Sequence, residues 1–245
     1  MRAEKQPMQA TPAILTTEDF HASIAELTPR VAVFDCDGTL WSGDAGSSFM
    51  AWTVERGLLS DEAVQWLAGR YEGYKRGEVS ELAICGEMVQ VYKGLREEQV
   101  RDAAREFFSD RVEANIFPEL QQAIQTLQAQ GVDIWAVSST NDWVIEEGMT
   151  RFNIAPNRVL AARVQVLDGI VTDRVLDVPT DEGKVASLVR AGITQPDCVF
   201  GNSVHDAAML AIARRAFPVN PSPALLERSV KENWAVYFPA SVKPS

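Results

Sequence analysis

The segment Val31-Ala32-Val33-Phe34-Asp35-Cys36-Asp37-Gly38-Thr39-Leu40 constrains the fold more than any other part of the chain. Four apolar residues, mostly β-branched or aromatic, predict a buried strand, and two carboxylates and a glycine stand at its carboxyl end. In an open α/β sheet, ligands bind at that end of the strands. Two aspartates so close repel each other unless a cation or a proton sits between them, so the pair points to a metal-dependent site or a proton-sharing dyad. A lone Asp-Gly marks only a turn; the full DxDGT string after an apolar strand is far more specific.

The rest of the pattern says what surrounds that strand. Residues 1 to about 15 lack periodicity and read as a loose tail. A helix start follows at Thr16-Thr17-Glu18-Asp19, with Phe20, Ile24 and Leu27 on one face before Pro29, and this helix is expected to lie as a lid on the sheet edge. From Gly43 to about Asn115 strand signals vanish. Ser60 and Ser80 suit the N-caps of two helices, with stripes Val64, Leu67, Tyr71, Tyr74 and Leu82, Cys85, Val89, Tyr92. Val100, Ala103, Ala104, Phe107 and Val112 mark a third, and Phe49, Trp52 and Val54 a shorter one before Gly57. About 70 residues are too many for a loop, so this insertion is expected to form a small helical bundle. Beyond Pro118, helix and strand alternate. A helix over Leu120, Ile124 and Leu127 stops at Gly131, a strand over 132–137 ends in Ser138-Ser139-Thr140, and a helix covers 142–152. A strand over 159–166 turns at Asp168-Gly169 into a hairpin partner, and helices carrying Lys184 and Asp206 precede a short strand at 217–219. This alternation predicts an α/β fold with a doubly wound, Rossmann-like parallel sheet covered on both faces.

The DxDGT string resembles the first motif of the haloacid dehalogenase-like superfamily of phosphohydrolases. Counterparts of its other three motifs follow in order: Ser138 at a strand tip, Lys184 near a helix start, and the loop Gly201-Asn202-Ser203-Val204-His205-Asp206. The resemblance spans residues 31–220. It implies a core domain of residues 1–42 and 115–245 and a mobile α-helical cap domain over 43–114; a helical cap just after the first motif and the Ile170 hairpin before Lys184 look most like the branch that contains the phosphoserine phosphatases. Asp35 would be the nucleophile, forming an aspartyl-phosphate, and Asp37 the general acid and then base. That second aspartate argues against a dehalogenase, whose reaction has no leaving oxygen to protonate. Ser138 would donate to a phosphate oxygen, with Ser139 and Gly38 as further substrate-side positions and Lys184 as a point charge. Mg2+ is the implied cofactor, with Asp35, Asp37 through its main-chain carbonyl, Asn202 and Asp206 as ligands.

Two departures and one match bear on the metal and the substrate. The fourth motif usually opens with aspartate, and Asn202 stands there, which weakens metal affinity and leaves room for a degenerate, non-catalytic member that binds phosphorylated metabolites. Asp44, nine residues after Asp35, occupies the position at which phosphoserine phosphatases meet the substrate ammonium, whereas the helix 81–92 lacks the arginine they use for the carboxylate. The expected activity is therefore hydrolysis of a small, amine-bearing phosphomonoester rather than phosphoserine, with a phosphotransferase or mutase acting on a sugar phosphate as the alternative. Of the aromatics Trp41, Phe49, Trp52, Trp66, Tyr71 and Tyr74, most are expected in the core and one or two near the amine. His205 reads as a surface group or one behind the ligands, since the only other histidine is His21.

Composition excludes other classes. A net charge of −11 disfavours nucleic acid and anionic membranes as partners. No apolar run approaches the ~18 residues of a membrane span, and residues 1–9 carry no signal-peptide core, so the cytoplasm is the expected location. Cys36, Cys85 and Cys198 are odd in number and widely spaced, which favours free core thiols over disulfides or zinc. Nothing in the sequence indicates an oligomeric state.

Overall fold

The computed structural model describes residues 11–242. In chain order its elements are β1 (Ile14–Leu15), α1 (Thr17–Leu27), β2 (Val31–Phe34), α2 (Ala45–Glu55), α3 (Asp61–Lys75), α4 (Glu81–Gln90), α5 (Glu97–Phe107), α6 (Pro118–Ala129), β3 (Asp133–Asn141), α7 (Asp142–Thr150), β4 (Val159–Leu167), β5 (Ile170–Asp177), α8 (Glu182–Arg190), β6 (Cys198–Gly201), α9 (Ala207–Ala211), β7 (Arg215–Pro218), α10 (Pro223–Glu232) and β8 (Val236–Tyr237).

The apolar strands assemble into a six-stranded sheet of order β5-β4-β3-β2-β6-β7. All neighbours are parallel except β5, which returns antiparallel to β4 through the Asp168-Gly169 turn, both residues at positive φ. Side chains alternate between faces along each strand. Ala32, Phe34, Ala136 and Phe200 join α1 and α6 on one side. Val33, Val137 and Val199 meet Leu188, Met209, Leu210 and Leu225 of α8, α9 and α10 on the other. Both faces are thus covered, as a parallel sheet requires. Full burial contributes ~1.5–3 kcal/mol for each such large apolar side chain, which fixes the register of the central strands. β2 lies between β3 and β6, with Phe34 opposite Ala136 on one side and Phe200 on the other, so the chain order switches direction at its carboxyl end.

Two expectations are corrected here. Helix α1 does not lie on the sheet edge: the Phe20 ring stacks on Tyr237 at a centroid distance of 4.1 Å and meets Phe200 and Phe217 edge-on, so the helix covers a face. Nor is all of the first segment a tail, because β1 pairs in parallel with β8; residues 1–10 lie outside the described residues. Helix α10 and β8 have no counterpart in the sequence reading, although Ser222 followed by Pro223 is a helix-start signal.

Between β2 and β3 the chain forms α2 to α5. Asp44, Ser60 and Ser80 each accept a hydrogen bond from the main-chain N–H three residues on, which satisfies an otherwise unpaired donor of the first turn. Phe49 packs on Phe107 and Tyr92 on Trp143 of α7, so the apolar interior of the insertion runs into that of the sheet face. Helix α4 is tied to the β4–β5 hairpin, where Gly94 N–H donates to Val171 O at 2.9 Å and Gln90 Nε2 to Asp173 O at 2.7 Å. All three cysteines are free and buried. Among the described residues, no helix is long and apolar enough to cross a membrane.

Candidate active site

The sheet register brings the carboxyl ends of β2, β3 and β6 side by side. Asp35 still belongs to the ladder, its N–H donating to Phe200 O at 2.9 Å. The backbone then turns tightly, with Thr39 and Leu40 N–H both reaching Cys36 O. Gly38 takes φ +74°, which glycine adopts without steric cost. A Cβ there would lie 1.9 Å from Asn202 Nδ2, so the loops after β2 and β6 meet at this point.

Lys184 projects from the first turn of α8 into the centre of this arrangement. Its Nζ donates to Asp35 Oδ1 at 2.7 Å, Asp206 Oδ1 at 2.6 Å and Val137 O at 3.2 Å, using all three ammonium hydrogens. The lysine side chain is only 3% exposed. Burial works against its charge, but the two carboxylates outweigh burial and raise its pKa, which keeps the ammonium ionised. Asp35 is shifted upward, by burial first and the Asp206 charge second, against Lys184 and the Thr39 hydroxyl that donates to its Oδ2 at 2.8 Å.

Asp206 is fully buried, and its oxygens are engaged by the protein. Oδ2 accepts from the N–H groups of Asn202 and Ser203, both at 2.9 Å, and from Ser203 Oγ at 3.3 Å. It therefore holds Lys184 and the 202–203 loop in place. Gly201 makes room for it, since a Cβ on that residue would stand 2.6 Å from Asp206 Cβ.

Asp37 faces away from this triad. Oδ1 accepts from Trp41 Nε1 at 2.8 Å and Ala45 N–H at 2.7 Å, and Oδ2 from the Thr140 hydroxyl at 2.7 Å. Burial, then the nearby Asp44 charge, push its pKa up to about 6 despite those donors. Thus two aspartates two residues apart occupy separate environments. Ser138 is buried, and its Oγ accepts from Thr140 N–H at 3.1 Å. Asp44 is exposed, and both of its oxygens are engaged by Ser47, one by the main-chain N–H and one by the hydroxyl, so it serves as the cap of α2. His205 Nδ1 lies 2.8 Å from Asp181 Oδ1.

Asp35, Asp37, Asp44, Ser138, Ser139, Lys184 and Asn202 all line one cleft of about 250 Å³; Asp206 and Gly38 lie behind its wall. Thr39 and Thr140, which orient the two aspartates, have no site role in the sequence reading, and Trp41, which donates to Asp37, appears there only among six aromatics expected in the core or near an amine. Thr140 could have been found, because residues i and i+2 of a strand share a face and Ser138 was already placed in the site.

Among the described residues, no group of three or more His, Cys, Asp or Glu side chains is poised to hold a metal. Magnesium does not need such a cage: it binds through one or two carboxylates and keeps several waters or phosphate oxygens. The donors available in the cleft, the Asp35 carboxylate and the Asn202 amide that rests on Gly38, are hard oxygens of the kind magnesium takes.

Comparison with known proteins gives the family and the fold. The sequence model of the haloacid dehalogenase-like hydrolases matches residues 32–211. A histidinol-phosphatase from Neisseria meningitidis is 21% identical over 218 residues, 84% of this chain and 97% of that protein. Among solved structures, a Bordetella pertussis Tohama I protein of unknown function has a TM-score of 0.76 at 23% identity, covering 85% of this chain and 98% of its own. A phosphoserine phosphatase solved as a phospho-aspartyl intermediate analogue has a TM-score of 0.56 at 18% identity, covering 86% and 93%. These structures share the fold.

Proposed function

The chain belongs to the haloacid dehalogenase-like hydrolases, and from that premise we propose that it hydrolyses a small, amine-bearing phosphomonoester through an aspartyl-phosphate on Asp35. The observation that carries this reading is the separation of the two aspartates: Asp35 is gripped by Lys184 and Thr39, while Asp37, held near pH 6 in its own pocket, can gain and lose a proton at neutral pH. In the first step an Asp35 oxygen attacks phosphorus, the P–O ester bond breaks, and the leaving alkoxide takes the proton of Asp37. In the second, Asp37 takes a proton from water, which attacks the aspartyl-phosphate and restores Asp35 with release of phosphate. Ser138 and Ser139 face the phosphoryl oxygens, and Lys184 keeps Asp35 oriented and compensates its charge. A magnesium ion held by Asp35, the Asp37 carbonyl and Asn202 would supply positive charge against the phosphoryl oxygens. Residues 43–114 are read as the cap over a core of residues 1–42 and 115–245.

The substrate class follows from the opposite wall. The cap contributes Tyr71, Tyr74, Glu81, Ile84, Cys85 and Met88, and Lys184 is the one lysine or arginine among the cleft-lining residues. A substrate carboxylate would find no partner there, and an unpaired charge in a partly dry cleft is strongly disfavoured. The likeness to a histidinol-phosphatase supports an amino-alcohol ester, and the cap wall speaks against phosphoserine.

The test is phosphate release from a panel of phosphomonoesters with magnesium. Activity is expected on aminated esters without a carboxylate, lost in chelator and restored by magnesium, and abolished in Asp35→Asn with the fold intact. Turnover at the wild-type rate in Asp35→Asn, or full activity in chelator, refutes the mechanism; transfer of the phosphoryl group to an added alcohol in preference to water would favour the phosphotransferase alternative.

A further inference from the structure

We propose that Glu81, rather than Asp44, is the residue that receives the substrate's protonated nitrogen; this rests on the reading of the cleft as a phosphomonoesterase site and names its specificity residue. Glu81 is the first residue of α4, lines the cleft, and has an inward carboxylate oxygen, Oε2, that is fully buried with no hydrogen-bond partner. A buried carboxylate oxygen without a donor is a standing cost to the fold, which a ligand N–H removes on binding.

The surroundings agree. Cys85 Sγ donates to the other oxygen, Oε1, at 3.5 Å, and Cys85 itself lies beside Ser139, next to the phosphate-facing Ser138. Glu81 and Ser139 thus flank the same cysteine on the wall of the cleft. The Tyr74 hydroxyl stands against the same carboxylate, and that contact first, then burial, raise its pKa, yet no bond of ordinary length and angle reaches Oε2. Lys75 has its ammonium 4.8 Å from the Tyr71 ring and is ion-paired with Glu72 at 2.8 Å. Among the described residues, Glu81 has no ion pair. Asp44 offers less, because it is exposed and Ser47 already occupies both oxygens.

Charge balance points the same way. The cleft is lined by four carboxylates, Asp35, Asp37, Asp44 and Glu81, against the single ammonium of Lys184. A phosphate ester carrying its own cation relieves that excess, and the cation fits best where a carboxylate oxygen is unmet.

The test uses the Asp35→Asn protein with magnesium, so that binding is read without turnover. Dissociation constants of phosphoethanolamine and glycerol phosphate are measured by calorimetry, with and without Glu81→Gln. The expected result is a preference of about tenfold or more for phosphoethanolamine that Glu81→Gln removes. In the active enzyme, Glu81→Gln and Glu81→Ala should lower the kcat/KM ratio of the aminated to the neutral ester by a similar factor, chiefly through KM. No preference in the Asp35→Asn protein, or a preference unchanged in Glu81→Gln, overturns the inference even if the protein proves to be a phosphatase. A preference that Glu81→Gln abolishes supports it even if neither ester is turned over, in which case it is the hydrolytic reading that fails.

Discussion

Replacing Lys184 with methionine tests the central claim that one buried ammonium holds two buried carboxylates together. Asp35 and Asp206 are 8% and 1% exposed in their side chains, and each lies within 2.7 Å of Nζ. Methionine keeps much of the lysine stem's volume, so the loss is electrostatic: two charge-assisted hydrogen bonds and one to Val137 O disappear, leaving Asp206 buried and Asp35 nearly so, each without its cationic partner. Removing one partner of a buried pair costs about 3–5 kcal/mol. Against a total stability of ~5–15 kcal/mol the variant should still fold, with a much lower urea midpoint. The cost should depend on pH. Without the ammonium, the upward shift already present on Asp35 grows, so its folded pKa lies above the unfolded value; stability is then present at low pH and lost as pH rises through the folded pKa. Urea titrations of wild type and Lys184→Met at pH 5 and pH 7.5 should therefore show a larger deficit at pH 7.5. Adding Asp206→Asn should recover part of it, with a coupling of ~2 kcal/mol or more in the double-mutant cycle. A deficit under ~1 kcal/mol, equal at both pH values and additive with Asp206→Asn, would refute the triad as a coupled unit.

Three further outcomes follow from particular atoms. Gly38→Ala places a Cβ 1.9 Å from Asn202 Nδ2 at a backbone φ of +74°, so it should displace Asn202 and raise the magnesium concentration needed for half activity, with ~1 kcal/mol of backbone strain seen as a lower Tm; an unchanged magnesium requirement would remove Asn202 from the metal site. Thr140→Val removes a hydroxyl that lowers the Asp37 pKa, so the alkaline limb of the kcat/KM profile should move up from about 6, and an unmoved limb would show that Asp37 is not the titrating acid. Asp142 is buried and raised to about 6, by burial first, with Oδ1 unpartnered; a raised folded pKa contributes stability at low pH that is lost as pH rises to 6, so the stability of Asp142→Asn relative to wild type should improve by ~1–3 kcal/mol between pH 4 and pH 7.5, and parallel pH curves would refute this.

The sequence by itself determined what is local. A strand over 31–34, helix caps at Ser60 and Ser80 and the hairpin at Asp168-Gly169 follow from periodicity and short motifs, whose physics involves residues a few positions apart, whereas Ser138, Lys184 and Asp206 are joined to Asp35 only by the resemblance to the haloacid dehalogenase-like motifs. The parallel alternation then placed those residues at one end of one sheet. What only the tertiary structure decided is which partner each polar atom takes. Asp37 and Thr140 are 103 residues apart, and Lys184 and Asp35 149 apart; no spacing rule pairs them until β2, β3 and β6 align and α8 packs beneath. The same holds for α1, whose Phe20 finds the sheet face because Tyr237, from the far end of the chain, supplies a ring to stack on. Asp44 shows the limit most clearly, for its spacing from Asp35 suggested a substrate contact but not that its oxygens would also cap a helix, while Glu81, read only as a helix start, carries an oxygen without a hydrogen-bond partner. Hydrogen-bond partners are set by packing across the whole fold, because a buried polar atom takes whichever donor the packing brings within ~3 Å, however distant it is in sequence.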